Sequence, residues 1–224
     1  MRCKPYWWVP VQKRRMKNEQ GVAASLPVKG RGGAHGIAGN NELRIIGGVW
    51  RSRKLLFPDA PGLRPTPGRV RETLFNWLGQ DLSGLSCLDL FAGSGALGFE
   101  AASRGAKRVV MVEQAPAVCQ ALQRSIAVLQ AADRVQIMQQ PVLAYLETAS
   151  RIFDIVFLDP PFRLSLAPPV CRALETAGLL AATARIYIES EREAKLNDLP
   201  ENWEVLRHKQ AGDVAYALFR RHSV

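Results

Sequence analysis

The sequence predicts an α/β fold: a doubly wound, mostly parallel sheet of seven strands, preceded by an N-terminal β-hairpin and helix. Three features predict it. From residue 85 onward, short apolar runs alternate with stretches of helical periodicity. A glycine-rich turn joins the first of those runs to the first helical stretch. The last two apolar runs are separated by a short turn only, which permits an antiparallel pair at the end of the sheet.

The elements follow in order. Residues 1–42 form a basic leader without sustained periodicity. Gly30, Gly32, Gly33, Gly36 and Gly39 loosen its end, so disorder is expected. Leu43, Ile45 and Ile46 then lead into Gly47-Gly48, and Leu55, Leu56 and Phe57 follow. Two apolar segments around a Gly-Gly turn predict a β-hairpin. Pro58 to Pro67 reads as a rigid connector. Val70, Leu74, Phe75 and Leu78 fall at helical spacing and predict a helix over 69–78. Residues 43–80 thus form an N-terminal unit, and residues 81–224 the main domain. In that domain strands are expected at 86–91, 108–113, 134–138, 153–158, 184–190, 203–208 and 213–220. Helices are expected at 96–104, 115–130, 142–149 and 167–177. Strands alternating with helices imply right-handed crossovers and a parallel sheet.

Charge is distributed unevenly. The net charge is +10. Residues 1–80 hold 15 Lys and Arg against 4 Asp and Glu, a net +11, and residues 81–224 hold 15 against 16, a net −1. A basic segment joined to a near-neutral domain points to a polyanionic partner at one end. The basic leader is not followed by the apolar core of a signal peptide, and no apolar run reaches the ~18 residues of a membrane span. A cytoplasmic protein without membrane contact is expected. Cys3, Cys87, Cys119 and Cys171 are scattered, which argues against a zinc site or a disulfide framework. No metal is expected, and Cys87 reads as a small core residue.

Two motifs carry chemistry. The first is Leu88-Asp89-Leu90-Phe91-Ala92-Gly93-Ser94-Gly95-Ala96-Leu97-Gly98, an apolar strand running into a glycine turn that opens a helix. Glycines are expected where a ligand lies against the backbone, and the helix start offers unpaired N–H groups. Glu113 follows Gly93 by 20 residues, at the end of the second strand, where a carboxylate can accept from both ribose hydroxyls. Together they predict a nucleoside cofactor without identifying it. Asp89 tips the balance, since a carboxylate before the turn can receive the ammonium of a methionyl group.

The second motif is Asp159-Pro160-Pro161-Phe162, at the end of the apolar run 153–158. Ligands of open parallel sheets bind outside the carboxyl ends of the strands, where both motifs fall. An exocyclic amine on a base is a poor nucleophile because its lone pair is delocalised into the ring. Two acceptors, the Asp159 side chain and the Pro160 carbonyl, would localise that lone pair. The prolines stiffen the turn and preorganise the acceptors. Phe162 offers a flat face for an extruded base. A methyl group would then pass in line to nitrogen, with alignment supplying much of the catalysis.

These residues resemble a known family. The Asp-Pro-Pro-Phe turn resembles that of amino-group methyltransferases acting on bases. Over residues 43–220 the resemblance narrows to the RsmD family. It is carried by Arg44-Ile45-Ile46-Gly47-Gly48, Arg51, Arg53-Lys54-Leu55, Leu63-Arg64-Pro65-Thr66, Arg69 to Leu78, Phe91 to Gly98, Ile186-Tyr187-Ile188-Glu189-Ser190 and Gly212 to Tyr216. The resemblance implies a class I methyltransferase fold, Rossmann-like in its sheet, and S-adenosylmethionine as cofactor. The implied reaction is methylation of the N2 amine of a guanine in 16S ribosomal RNA, within the small ribosomal subunit or an assembly intermediate. Asp89, Phe91, Gly93, Gly95 and Glu113 would hold the cofactor. Asp159, Pro160, Pro161 and Phe162 would hold the guanine. Arg44, Arg51, Arg53, Lys54, Arg64, Arg69 and Arg71 would meet RNA phosphates, which give affinity and position more than sequence choice. Many relatives carry Asp or Asn after the third strand. Here the stretch is Gln139-Gln140-Pro141-Val142, leaving Gln140 or a backbone group to meet the adenine. A monomer is expected.

Three other readings use the same residues. A DNA amino-methyltransferase would share the pocket. A nicotinamide-dependent oxidoreductase would explain the glycines and Glu113 but leave Asp159-Pro160-Pro161-Phe162 unused. A non-enzymatic RNA-binding module would rest on the altered stretch at Gln140-Pro141.

Overall fold

The computed structural model describes residues 41–60, 62–161, 166–192 and 198–223. Residues 1–40 of the expected leader and Phe162 lie outside the described residues.

The chain opens with two short strands, β1 (Asn41–Arg44) and β2 (Lys54–Phe57), paired antiparallel with Arg44 opposite Lys54. The first strand thus begins at Asn41, inside the expected leader. Leu43, Leu55 and Phe57 face inward and are buried, while Glu42, Arg44, Lys54 and Leu56 face out. The hairpin was expected, but Gly47-Gly48 is not a tight two-residue turn. The nine residues between the strands dock on the end of a helix described next. A Cβ on Gly48 would lie 1.9 Å from the Ser103 carbonyl oxygen, so only glycine allows that approach. The Val49 N–H donates to the Ser103 carbonyl, the Trp50 N–H to Ser103 Oγ, and the Ile46 N–H to Glu100 Oε2. The loop thereby satisfies a carbonyl left open at a helix end.

Helix α1 (Gly68–Leu78) buries Val70, Arg71, Leu74, Phe75 and Leu78. The main sheet comprises β3 (Ser86–Asp89), β4 (Arg108–Glu113), β5 (Val135–Gln139), β6 (Phe153–Leu158), β7 (Leu180–Glu191), β8 (Trp203–Ala211) and β9 (Val214–Arg221). Its order is β5-β4-β3-β6-β7-β9-β8. All pairs from β5 to β7 are parallel, and β7-β9 and β9-β8 are antiparallel. The helices are α2 (Ala96–Ser103), α3 (Pro116–Leu129), α4 (Val142–Thr148) and α5 (Ala167–Thr176). This is the doubly wound, mostly parallel seven-stranded α/β sheet that the sequence predicts.

Two apolar layers flank the sheet. One packs the hairpin, α1, α2 and α3 against residues such as Val109, Met111, Ile155, Phe157 and Tyr187. The other packs α4 and α5 against Leu88, Val110, Val156, Ile186 and Phe219. The N-terminal unit is therefore part of the main core. Phe75 meets Phe157 at 6.1 Å, and Trp77 meets Tyr216 at 5.5 Å between ring centroids. Cys87, Cys119 and Cys171 are free and buried, and burial pushes the Cys87 thiol pKa far up, as a core residue requires. Among the described residues, no helix is long and apolar enough to cross a membrane.

Candidate active site

The chain leaves β3 for β4 on one side and reaches β6 on the other. The strand order reverses between β3 and β6, which opens a crevice at their carboxyl ends. Both motifs lie on that crevice.

The glycine loop is braced from below. Asp89 ends β3 with 1% exposure, and its Oδ2 accepts from the Gly98 N–H at 3.0 Å. The Phe91 N–H also donates to this carboxylate. Burial raises the Asp89 pKa to about 7, against the pull of those two backbone donors. Gly93 and Gly95 adopt left-handed φ of +50° and +78°. The reason for the later glycines differs from the expected one. A Cβ on Gly95 would lie 2.5 Å from the Phe99 ring and 2.8 Å from Leu122, and one on Gly98 would lie 2.3 Å from Met111. These glycines let α2 sit close to its neighbours. At Gly93 a Cβ would touch Leu63 at 3.0 Å, so the connector from the N-terminal unit reaches the loop.

Glu113 spans the rim. Its Oε2 accepts from the Gly93 N–H at 3.1 Å and its Oε1 from the Ala115 N–H at 2.8 Å. Each oxygen keeps a second lone pair. The Gln140 backbone N–H donates to the Glu113 carbonyl. Its side-chain Nε2 is buried and, among the described residues, lacks a hydrogen-bond partner. A buried amide donor of that kind calls for an acceptor. Pro141 serves instead as the N-cap residue of α4. Phe91 is half-buried and packs against the apolar layer of α4 and α5.

Asp159 follows β6. Its Oδ2 lies 3.4 Å from the Thr66 hydroxyl, which donates to it. Burial raises its pKa above the usual carboxylate range. Pro160 is buried and Pro161 exposed. Beside them, at the end of β7, Glu189 is 3% exposed and accepts from the Tyr187 hydroxyl at 3.0 Å. Burial first, and then the Asp159 charge, hold Glu189 protonated far above its ordinary range. The site thus gathers Asp89, Glu113, Asp159 and Glu189 at the carboxyl ends of four adjacent strands.

Sequence reasoning quoted Thr66, Tyr187 and Glu189 within the stretches that carry the family resemblance but gave them no role in the site. A carboxylate continuing the strand directly after the apolar run Ile186-Tyr187-Ile188 is the signal that could have found Glu189, because buried acids need a reason.

Of the seven expected phosphate contacts, Arg44, Arg51, Arg53, Lys54, Arg64 and Arg69 are exposed. Arg53 donates to the Val128 carbonyl, and Lys54 pairs with Glu42 at 3.0 Å. Arg71 is a correction. It is 4% exposed and fully engaged inside the protein, through Glu100 Oε2 at 3.2 Å, the Thr66 carbonyl at 3.1 Å and the Arg44 carbonyl at 3.0 Å. Its place on the same helical face as Leu74, Phe75 and Leu78 puts it in the core, away from any phosphate.

Comparison with known proteins identifies the family. Residues 43–220 match the family model described as Conserved hypothetical protein 95. The ribosomal RNA small subunit methyltransferase D of Escherichia coli is 47% identical over 186 residues, covering 83% of this chain and 93% of that protein. Its namesake from Haemophilus influenzae is 43% identical over 182 residues, covering 80% and 94%. A solved structure from Escherichia coli superposes with a TM-score of 0.74 at 46% identity, covering 82% of this chain and all of that one. On this fold and these similarities, the chain belongs to the RsmD family and is a methyltransferase.

Proposed function

We propose that this enzyme transfers a methyl group from S-adenosylmethionine to the exocyclic N2 amine of a guanine in 16S ribosomal RNA. The small ribosomal subunit or its assembly intermediate is the substrate, and the reaction takes place in the cytoplasm. The relatives named as small-subunit ribosomal RNA methyltransferases support the RNA class.

The row of carboxylates Asp89, Glu113 and Asp159 carries the cofactor reading. A ligand bearing a sulfonium and an ammonium is attracted to such a row, whereas the pyrophosphate of a nicotinamide dinucleotide is repelled. This disfavours the oxidoreductase alternative. The residues fit the proposed ligand. Glu113 retains lone pairs for ribose hydroxyls. The orphan Gln140 Nε2 can donate to an adenine nitrogen. Asp89 sits beneath the glycine loop, too deep for open contact, and acts on the ligand ammonium through its charge. When bound, S-adenosylmethionine supplies an electrophilic methyl group.

The remaining work falls to the chain itself. Asp159 accepts one N–H of the base amine and the Pro160 carbonyl accepts the other, which turns the nitrogen lone pair toward the methyl donor. The raised Asp159 pKa makes its carboxylate basic enough to take the proton that leaves the amine. Phe162 is assigned to stacking from its sequence position. The exposed Arg44, Arg51, Arg53, Lys54, Arg64 and Arg69 neutralise RNA phosphates.

Mass spectrometry of 16S ribosomal RNA from a strain lacking the protein tests the proposal. One N2-methylguanine should be missing and should return when purified enzyme acts on small-subunit particles from that strain. The Asp159→Ala enzyme should bind the particles without restoring it. Methylation of duplex DNA alone would overturn the reading in favour of a DNA amino-methyltransferase.

A further inference from the structure

Glu189 is a buried acid with no part in the scheme above. Strands β6 and β7 run parallel with Leu158 opposite Ile188. Asp159 and Glu189 each lie one residue further on, so they stand at the same height on neighbouring chain segments. Partner positions in a parallel pair present their side chains on the same face.

Four hydroxyl and carboxyl groups connect there. The Tyr187 hydroxyl donates to Glu189 Oε1 at 3.0 Å. The Thr66 hydroxyl donates to Asp159 Oδ2 at 3.4 Å and is also within hydrogen-bonding reach of Glu189. The Thr66 backbone is itself held by Arg71 Nε at its carbonyl. Glu189, Tyr187 and Thr66 are each 5% exposed or less, whereas Asp159 is partly open to the crevice.

We propose that Glu189 is a positioning residue for methyl transfer: with Tyr187 and Thr66 it forms a buried hydrogen-bonded chain behind Asp159 that aims this carboxylate at the base amine. The inference rests on the proposed role of Asp159 as the amine acceptor.

Charge makes the arrangement one-sided. Two adjacent buried acids do not both ionise at neutral pH. The deeper Glu189 keeps the proton, and Asp159, nearer the crevice, is the anion. Among the other groups facing Glu189, Asp89 reinforces this with negative charge, while Tyr187, itself beside Tyr216, stays a neutral donor whose hydrogen bond pulls the other way without overcoming burial and the Asp159 charge. A neutral Glu189 aims Asp159 without repelling it. As pH rises and Glu189 ionises, the pair carries two charges, and the Asp159 proton affinity rises with it.

The experiment compares Glu189→Gln and Glu189→Ala in the full chain, using small-subunit particles as substrate. Glutamine keeps an acceptor for Tyr187 and an amide donor for Asp159, and it cannot ionise. Glu189→Ala should lower kcat by about tenfold to a hundredfold with little change in KM for particles, since misplacement of about 1 Å costs on that order. Glu189→Gln should recover most of that loss, follow wild type through the acidic limb of the kcat profile, where Glu189 is already neutral, and lack the change that wild type shows at higher pH as Glu189 ionises. Thr66→Ser should resemble wild type, and Thr66→Val should share the kcat loss. Two results would overturn the proposal: a glutamine variant as impaired as alanine while folded by circular dichroism, or a glutamine pH profile that superimposes on wild type. The Asp159→Ala enzyme separates the two levels of inference. If it still methylates, the reading of Asp159 fails. If it does not, and the Glu189→Gln profile is unmoved, only the positioning role fails.

Discussion

Arg71 Nη1 lies 3.2 Å from Glu100 Oε2, with the two side chains 5% and 0% exposed. Glu100 also receives Arg104 at 2.9 Å through its other oxygen and the Ile46 N–H through Oε2. One carboxylate therefore binds two guanidinium groups and the hairpin loop. Removing one partner of a buried pair strands the others. Arg71→Ala should destabilise the protein by about 3–5 kcal/mol, measured by urea denaturation. A loss below about 1 kcal/mol would show that the cluster is not structural.

The exposed arginines should behave in the opposite way. Arg51→Ala and Arg69→Ala should each leave stability within about 0.5 kcal/mol of wild type. Each should reduce the slope of log affinity against log salt for RNA particles by about 0.7–1, the signature of one lost phosphate contact. Filter-binding titrations at several salt concentrations would read this. An unchanged slope would remove that residue from the RNA-facing surface.

Asp89 gives a pH test. Its folded pKa of about 7 stands above the unfolded value of about 3.9. Below pH ~4 the group is neutral in both states and costs nothing. From there to pH ~7 the unfolded chain ionises first, so folding must take up a proton, and stability falls as pH rises. Above pH ~7 the cost is constant. Asp89→Asn lacks this component. The stability of wild type relative to Asp89→Asn should therefore decline between pH 4 and 7, by at most about 1.4 kcal/mol per pH unit, and level off above. Parallel stability curves for the two proteins would contradict the raised pKa.

Two glycines of one motif should differ on substitution. Gly95→Ala meets a left-handed φ and a ring at 2.5 Å. It should cost about 2–4 kcal/mol from backbone strain and overpacking together. Gly98→Ala meets chiefly the terminal methyl of Met111, which can swing away. Its cost should stay near 1 kcal/mol, on thermal melts of the two variants. Equal losses would show that Met111 cannot move.

The sheet was legible because burial on both faces writes strands as continuous apolar runs. All seven expected strands are present, with ends displaced by a few residues, as at β7, which runs from Leu180 rather than 184. The Asp159 turn and the glycine loop were legible for a different reason: special backbone demands special residues. Residues acting across long sequence separations were harder to read. Thr66 is 93 positions from Asp159, and no local pattern announces that contact. Gly47-Gly48 resembled a hairpin turn because the partner requiring it, Ser103, comes from elsewhere in the chain. Arg71 was readable and misread. Its spacing to Leu74, Phe75 and Leu78 placed it on the buried face, but its charge drew it into the phosphate set.

The docking of residues 45–53 on the end of α2 bears on how such an enzyme can be altered. The basic hairpin is no cartridge to be unplugged from the domain that does the chemistry. Its loop is seated on Glu100 and Ser103, Arg104 braces the same junction from the Glu100 side, and the connector behind it supplies Leu63 to the glycine loop and Thr66 to Asp159. A chimera that exchanges the arm must import the seat as well, or it will disturb the Asp159 carboxylate.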